Sequence, residues 1–168
     1  MDELNKGLSI SVSGRVRAAA LRNFRKRLRR WNLALPAVEP LVLDFGLGQF
    51  EQIGLIEYWI ANEAAAGYCG KYLFVFEGQT CPKHRHKVKH ETFFLIKGEL
   101  LIRYRGRKIE LQPGGVLTIP PGGYHSFTGV QPSLLLELSM PCEIEDNYFA
   151  DRSIPIGGNR RRPAKTAL

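Results

Sequence analysis

The chain predicts an all-β fold, a closed barrel or double-sheet jelly roll, preceded by one amphipathic helix. Three observations carry this expectation. Eight short runs of strand-like composition follow one another between residues 41 and 140. Glycines and prolines punctuate them, at Gly70, Gly78, Gly98, Gly106, "QPGG" and "PPGG". No stretch between them is long enough for the repeated crossover helices that a parallel sheet requires.

Taken in order, "SGRVRAAALRNFRKRLRRWNLALP" reads as the helix, with Ser13 in the N-cap position. Leu21, Phe24, Leu28 and Trp31 recur at spacings of three and four and draw one apolar stripe between arginines. Pro36 and Pro40 mark its end, since neither can donate a helical hydrogen bond. The strand runs are "LVLDF" (41–45), "IGLIEYWI" (53–60), "KYLFVFE" (71–77), "TFFLIKGELLIRY" (92–104), "RKIEL" (107–111), "GVLTIP" (115–120), "YHSFTG" (124–129) and "SLLLELSM" (133–140). The last eighteen residues lack periodicity and read as an extended, partly disordered tail. The expected organisation is a basic helix and linker over 1–37, a barrel over 38–150 and a basic tail over 151–168.

At 168 residues the chain suits one domain with a substantial core, and 44% hydrophobic with 24% charged residues excludes wholesale disorder. No apolar run reaches 18 residues and the first 30 residues do not read as a signal peptide, so the expected location is the cytoplasm. Three cysteines, Cys69, Cys81 and Cys142, do not form a disulfide framework. The net charge of +8 suggests a nucleic-acid partner until it is partitioned. Residues 1–30 carry +7, residues 151–168 carry +4, and the 120 residues between them carry −3. The basicity belongs to the ends. With no helix-turn-helix partner and only a modest apolar face, the arginine helix is expected to pack on the barrel or on a second subunit; nucleic acid and membrane are not expected partners.

The segment "GQTCPKHRHKVKHETFFLIKGE" (78–99) holds three of the four histidines. On an extended chain His84 and His86 point to one face, and Lys89 and Glu91 share a face while His90 points away. A turn at "KV" folds the second pair over the first, and His125, following the rigid turn "PPGGY", joins from a distant strand. Three imidazoles and a carboxylate form a shell suited to Mn, Fe, Co, Ni or Zn with positions left open. Soft ligands are missing unless Cys81 joins. A bare HxH is equally a charged loop; the in-phase carboxylate and the fourth candidate beyond a second turn argue against that.

These residues carry a resemblance. "GQTCPKHRHKVKHETFFLIKG" resembles the first motif of the cupin family, with Gly78, His84, His86, Glu91 and Gly98 at family spacing, and "GGVLTIPPGGYH" resembles the second, with Gly114, Pro120, Gly122 and His125 in register. The usual asparagine after the second motif is replaced by Gly129. The resemblance implies a double-stranded β-helix with the metal near one open end. "LDFGLGQFEQIGLIEYW", "YCGKYLFVFEGQTCPKHRH", Lys89, "LELS" and "EDNYF" further resemble the cupin-type D-lyxose isomerases over residues 31–154, with the insertions common in those enzymes short or absent. What this implies is a metal-dependent aldose–ketose isomerase of D-lyxose and D-xylulose, or of a related pair such as mannose and fructose, working as a homodimer. The expected cofactor is one divalent ion, Mn²⁺ first among Mn²⁺, Zn²⁺, Fe²⁺, Co²⁺ and Ni²⁺.

Isomerisation moves a proton between C1 and C2 and needs a base beside the sugar. Glu137 alone interrupts the apolar run "SLLLELSM"; inward with Leu135 and Ser139, it is expected to have its pKa raised by burial, and the resemblance places a proton-transferring glutamate there. The other use for it is a structural salt bridge. Lys89 is the second catalytic candidate, stabilising an alkoxide or passing a proton between O1 and O2, against a solvated lysine such as Lys83 and Lys87. Lys71 is expected at the barrel mouth as a substrate group, and Asp146 and Asn147 either bind sugar hydroxyls or cap a turn. Arg103 and Arg105 are expected to solvate an outer hairpin face. Two other functions use the same ligands: another metal cupin enzyme, an epimerase, lyase or oxygenase of a carbohydrate or small acid, and a ligand-sensing cupin whose basic helix contacts nucleic acid. Glu137 separates enzyme from sensor, since a sensor needs no base.

Overall fold

Residues 2–159 are described in the computed structural model of the chain. Two helices, α1 (Glu3–Ser9) and α2 (Gly14–Arg30), precede eleven strands. Six of these form one antiparallel sheet in the order β1 (Leu41–Leu43), β2 (Leu55–Glu63), β3 (Tyr68–Val75), β10 (Ser133–Ser139), β5 (Glu91–Lys97) and β8 (Val116–Ile119). The second sheet runs β11 (Tyr148–Phe149), β4 (Thr80–Arg85), β9 (His125–Gly129), β6 (Leu100–Tyr104) and β7 (Arg107–Leu111). This is the all-β jelly roll with an N-terminal helix that the sequence predicts.

Alternation builds the interior. Leu135 of β10 stands opposite Leu73 on β3 and Leu95 on β5, and all three are buried between the sheets with Phe93, Ile102 and Phe127. The next residue, Leu136, pairs with Tyr72 and Phe94 on the outer face. The run 92–104 folds as two strands about Gly98, whose φ of 87° is open to glycine and whose Cβ, were there one, would lie 2.3 Å from the Pro132 carbonyl oxygen.

Helix α2 covers part of that outer face of the larger sheet. Phe24 is fully buried, with ring centroids 4.5 Å from Phe74 and 5.4 Å from Tyr58, and Leu21 and Leu28 join the same cluster. The helix therefore packs on its own barrel. Ser13 takes the N-cap position but its hydroxyl makes no capping bond. Among the described residues no helix is long and apolar enough to cross a membrane.

Four elements differ from the sequence reading. Helix α1 is too short to stand alone; Asp2 caps it through the Asn5 N–H, and Leu4 and Leu8 dock it on the core. Strand β4 contains Pro82, which argues against a regular strand, and a register irregularity between Cys81 and His84 accommodates it. The two-residue β11 exists only through its pairing with β4. The segment from 151, expected as an extended, partly disordered tail, is docked as far as it is described: Ile154 and Ile156 are buried in the main core, an anchoring that two isolated isoleucines among polar residues do not announce. The remainder of that tail lies outside the described residues.

Candidate active site

Six strands and one turn deliver the polar side chains to the barrel interior: Glu57 on β2, Lys71 on β3, His84 on β4, Glu91 on β5, His125 on β9 and Glu137 on β10, with His86 and Lys89 in the turn between β4 and β5. His84 on β4 pairs directly with His125 at the start of β9, and Glu91 opens β5 opposite Ser139 of β10. The turn between β4 and β5 is clamped by Asp146, whose carboxylate accepts from the N–H groups of Lys87 (2.8 Å), Val88 (3.2 Å) and Lys89 (2.9 Å). The His86 carbonyl accepts from Gly122 N–H at 2.7 Å, which ties this turn to the one preceding His125. Lys89 and Glu91 are consequently buried, while His90 is exposed.

His84, His86, Glu91 and His125 each offer one ligand atom, and these atoms lie within 4.8 Å of one another. Each histidine Nδ1 faces a backbone carbonyl: Pro82 at 2.8 Å, Asp146 at 3.0 Å and Gly123 at 3.0 Å. A carbonyl only accepts, so Nδ1 carries the proton in each neutral ring and Nε2 turns its lone pair inward. His86 Nε2, Glu91 Oε1 and His125 Nε2 are buried with no hydrogen-bond partner. Although His125 Nε2 and Glu91 Oε1 stand 2.8 Å apart, they are two acceptors aimed at a shared point rather than a bonded pair. Orphaned lone pairs in a dry interior are costly. One divalent cation at their focus satisfies all of them, so the residues fit the expected cofactor. Burial first, then His125 and His86, holds the His84 pKa well below the usual imidazole range, and burial followed by Lys89 lowers that of His86. Both rings are neutral, as ligation requires. Cys81 is not in this group; burial holds its thiol well above the usual range.

A ladder of alternating charge leads away from the cluster. Lys89 Nζ lies 2.8 Å from Glu91 and 2.9 Å from Glu137; Lys71 Nζ lies 3.5 Å from Glu137 and 3.3 Å from Glu57. Glu137 and Lys71 are direct cross-strand partners on β10 and β3. Burial pushes the Glu137 pKa up, but Lys71 and Lys89 outweigh it and the net direction is down, which corrects the expectation of a raised value: the paired cations could not be seen in the isolated run. For Glu91 too, burial is overcome, by the Lys89 ammonium first, and the pKa stands well below the carboxylate range. Lys89 is held above the usual lysine range by Glu137 and Glu91 against burial. Lys71 is likewise held well above it, against burial, by Cys142, Glu137 and Glu57. Burial pushes the Cys142 thiol up to about 11.

Lys71 is thus not at the mouth but 4% exposed inside the ladder. Asp146 does not line the cavity; its carboxylate is engaged by the 87–89 backbone. Asn147 does line it, with its amide Nδ2 bonded to the carbonyls of Glu143 and Ile144. Arg103 and Arg105 are exposed on the outer face. Sequence reasoning missed Glu57 and the aromatic wall. Glu57 interrupts "IGLIEYWI" as Glu137 interrupts "SLLLELSM", so the same signal was present. Phe45, held at φ 57°, sets its ring edge-on to Phe149 at 5.4 Å, and Phe149 lies 5.6 Å from His84.

Residues 41–103 match the family described as D-lyxose isomerase, and residues 73–138 match the Cupin domain. A D-lyxose/D-mannose isomerase of Thermosediminibacter oceani is 32% identical, with 76% of this chain and 86% of the relative covered. The chain belongs to the D-lyxose isomerase family. A D-lyxose ketol-isomerase of a Thermofilum species is also 32% identical over 67% of this chain and 77% of its own. The isomerase shares its fold with the L-ribose isomerases of Acinetobacter sp. DL28 (TM-score 0.69, 16% identity, 86% and 95% covered) and Cellulomonas parahominis (TM-score 0.69, 17% identity, 86% and 95% covered). It is an enzyme, a sugar isomerase of the aldose–ketose class.

Proposed function

We propose that this isomerase interconverts D-lyxose and D-xylulose, and accepts the related pair mannose and fructose, by moving one proton from C2 to C1 through an enediolate. The observation that carries the reading is the Lys89 ammonium, 2.8 Å from Glu91 and 2.9 Å from Glu137, which joins the ligand cluster to a buried carboxylate. The names of the T. oceani and Thermofilum relatives support the substrate. His84, His86, Glu91 and His125 would hold the divalent ion, Mn²⁺ first among the candidates. Bound there, the ion supplies Lewis-acid stabilisation of the negative charge that develops on the sugar oxygens.

Glu137 is ionised at neutral pH, as a base must be, and takes the C2 proton. Delivery of the same proton to C1 converts aldose to ketose, while a second proton passes from O2 to O1. Lys89, held as a cation, hydrogen-bonds those oxygens and relays the second proton, giving one to O1 as it takes one from O2 and ending as the ammonium it began as. Ser139 Oγ, donating to Glu137 at 3.0 Å, and Lys71 orient the base. Asn147 Oδ1 accepts from a sugar hydroxyl, and Asp146 acts on the substrate only through the turn it clamps. The enzyme works as a cytoplasmic homodimer; the three free, buried cysteines support a reducing compartment.

The test is incubation of Mn²⁺-loaded protein with a panel of aldoses in D₂O, reading ketose formation and C2 exchange, with sedimentation giving the assembly. D-lyxose and D-mannose are expected to react. Metal-replete protein that exchanges no C2 proton on any pentose or hexose overturns the reading.

A further inference from the structure

The cavity continues past the ladder into a second lobe. Phe45, Glu57, Lys71, Asn147 and Phe149 line both lobes, so they form the junction between them. His84, Lys89, Glu91 and Glu137 belong to the first lobe only; Ile10, Trp59, Cys142, Ile144, Ile156 and Gly157 belong to the second only. Apolar walls leave few polar atoms there.

Glu57 is 9% exposed, and both of its donors go to one oxygen: Trp59 Nε1 at 2.7 Å and Lys71 Nζ at 3.3 Å meet Oε2. No described residue bonds Oε1, which is left to the cavity. Lys71 has three N–H donors, and its neighbours are three: Glu57, Glu137 and Cys142 Sγ at 3.7 Å. Both N–H groups of Asn147 are taken by backbone carbonyls, and Trp59 gives its one N–H to Glu57. Every donor at the junction is engaged inside the protein. What remains are acceptors, Glu57 Oε1 and Asn147 Oδ1.

We infer that this junction is an acceptor-only subsite in which Glu57 receives a hydroxyl of the polyol chain away from C1 and C2, so that the enzyme selects neutral sugars and rejects sugar acids and sugar phosphates. A hydroxyl donates to a carboxylate; a carboxylate or phosphate at the same place meets like charge with no free donor to offset it. The inference rests on the sugar-isomerase reading, whose sugars are uncharged, and adds to it the residue, Glu57, that enforces this choice and the part of the polyol chain it receives.

Pentitols lack the carbonyl, so they report binding without turnover. Isothermal titration of the wild-type protein with xylitol and D-arabitol, and with the corresponding 5-phosphates, is expected to show the neutral polyols binding at least about tenfold tighter. Glu57→Gln keeps the shape but loses the charge and gains a donor; polyol binding should weaken about ten- to hundredfold, the scale of a hydrogen bond to a charged group, and the preference over the phosphates should vanish. A structural role for Glu57 would weaken both ligand classes equally. Trp59→Phe, which removes the N–H anchor on Oε2 and keeps an aromatic ring in the wall and against Lys71, serves if Glu57→Gln does not fold: polyol affinity should fall while the phosphates stay weak. Equal binding of polyol and phosphate by the wild type, a preference untouched by Glu57→Gln, or no polyol binding at all overturns the inference. Glu57-dependent polyol binding without C2 exchange would instead refute the proposed reaction and leave the subsite standing.

Discussion

Replacing Lys71 by methionine isolates the electrostatics of the ladder. Its ammonium stands between two buried carboxylates, 3.3 Å from Glu57 and 3.5 Å from Glu137, and all three side chains are almost wholly enclosed. Methionine fills nearly the same volume, so the loss is of charge rather than packing. Removing one member of a buried ion pair costs about 3–5 kcal/mol, because the partner charge is left without compensation. At roughly 2–4 °C per kcal/mol for a chain of this size, the melting temperature should fall by about 6–20 °C at neutral pH. The dependence on pH has a definite sign. In the wild type Glu137 is depressed below its ordinary pKa, so its contribution is present above that value and lost as pH falls through the depressed one. In Lys71→Met the same group, with burial less opposed, has its pKa raised, and protonation relieves the mutant as pH falls. Above the ordinary carboxylate pKa only the second effect operates, and it narrows the gap between the proteins on acidification; the first adds to it at still lower pH. Melting curves by circular dichroism from pH 8 down to pH 4.5 test this, and Lys71→Met/Glu57→Gln, one carboxylate fewer, should recover part of the loss. A gap that stays constant across that range, or a double variant no better than the single, would refute the assignment of Lys71 as the ladder's counter-charge.

Glu137→Gln should lower turnover at least about a hundredfold, the usual contribution of a general base, while calorimetric titration still finds the metal bound; unchanged turnover removes Glu137 from its role. Glu91→Ala should abolish tight Mn²⁺ uptake, measured by equilibrium dialysis, and uptake like that of the wild type would disqualify the four-ligand cluster. Phe24→Ala should cost about 3–5 kcal/mol in urea unfolding, since it empties the contact between α2 and the sheet; a loss below about 1 kcal/mol would mean that α2 is held elsewhere. Titration of duplex DNA at about physiological salt should give no tight, saturable binding, the arginines of α2 being a solvated outer face.

Much of the site was legible because its first half is local. His84 and His86, Lys89 and Glu91 are placed by a period of two and by one turn, and no distant contact is needed to predict which of them point together. His125 was legible through the Gly/Pro turn before it, and Glu137 through its isolation in an apolar run. The same isolation marks Glu57, which reads as part of a strand because Tyr58 and Trp59 follow it with further polar-capable side chains. Asp146 reads from sequence as either a sugar-binding group or a turn cap; the structure has its carboxylate on the 87–89 backbone, a task that depends on where the 86–90 turn lies, and that turn is fixed by Gly122 and Met140 from elsewhere in the chain. Helix α1 and the docked isoleucines at 154 and 156 left no signal, since each owes its position to contacts rather than to propensity.

By itself the sequence determined the strand alternation, the glycine turns that punctuate it, the amphipathic helix and the chemical identity of the metal-binding donors. Those follow from side-chain type and spacing along one chain. Only the tertiary structure decided that paired lysines turn the Glu137 pKa down against burial, that Lys71 is enclosed rather than at the rim, and that the donors of Lys71 and Asn147 at the junction of the two lobes are engaged within the protein. Charge state and free valence depend on distances between strands remote in sequence, where Coulomb energy and the count of engaged donors change over a few ångström.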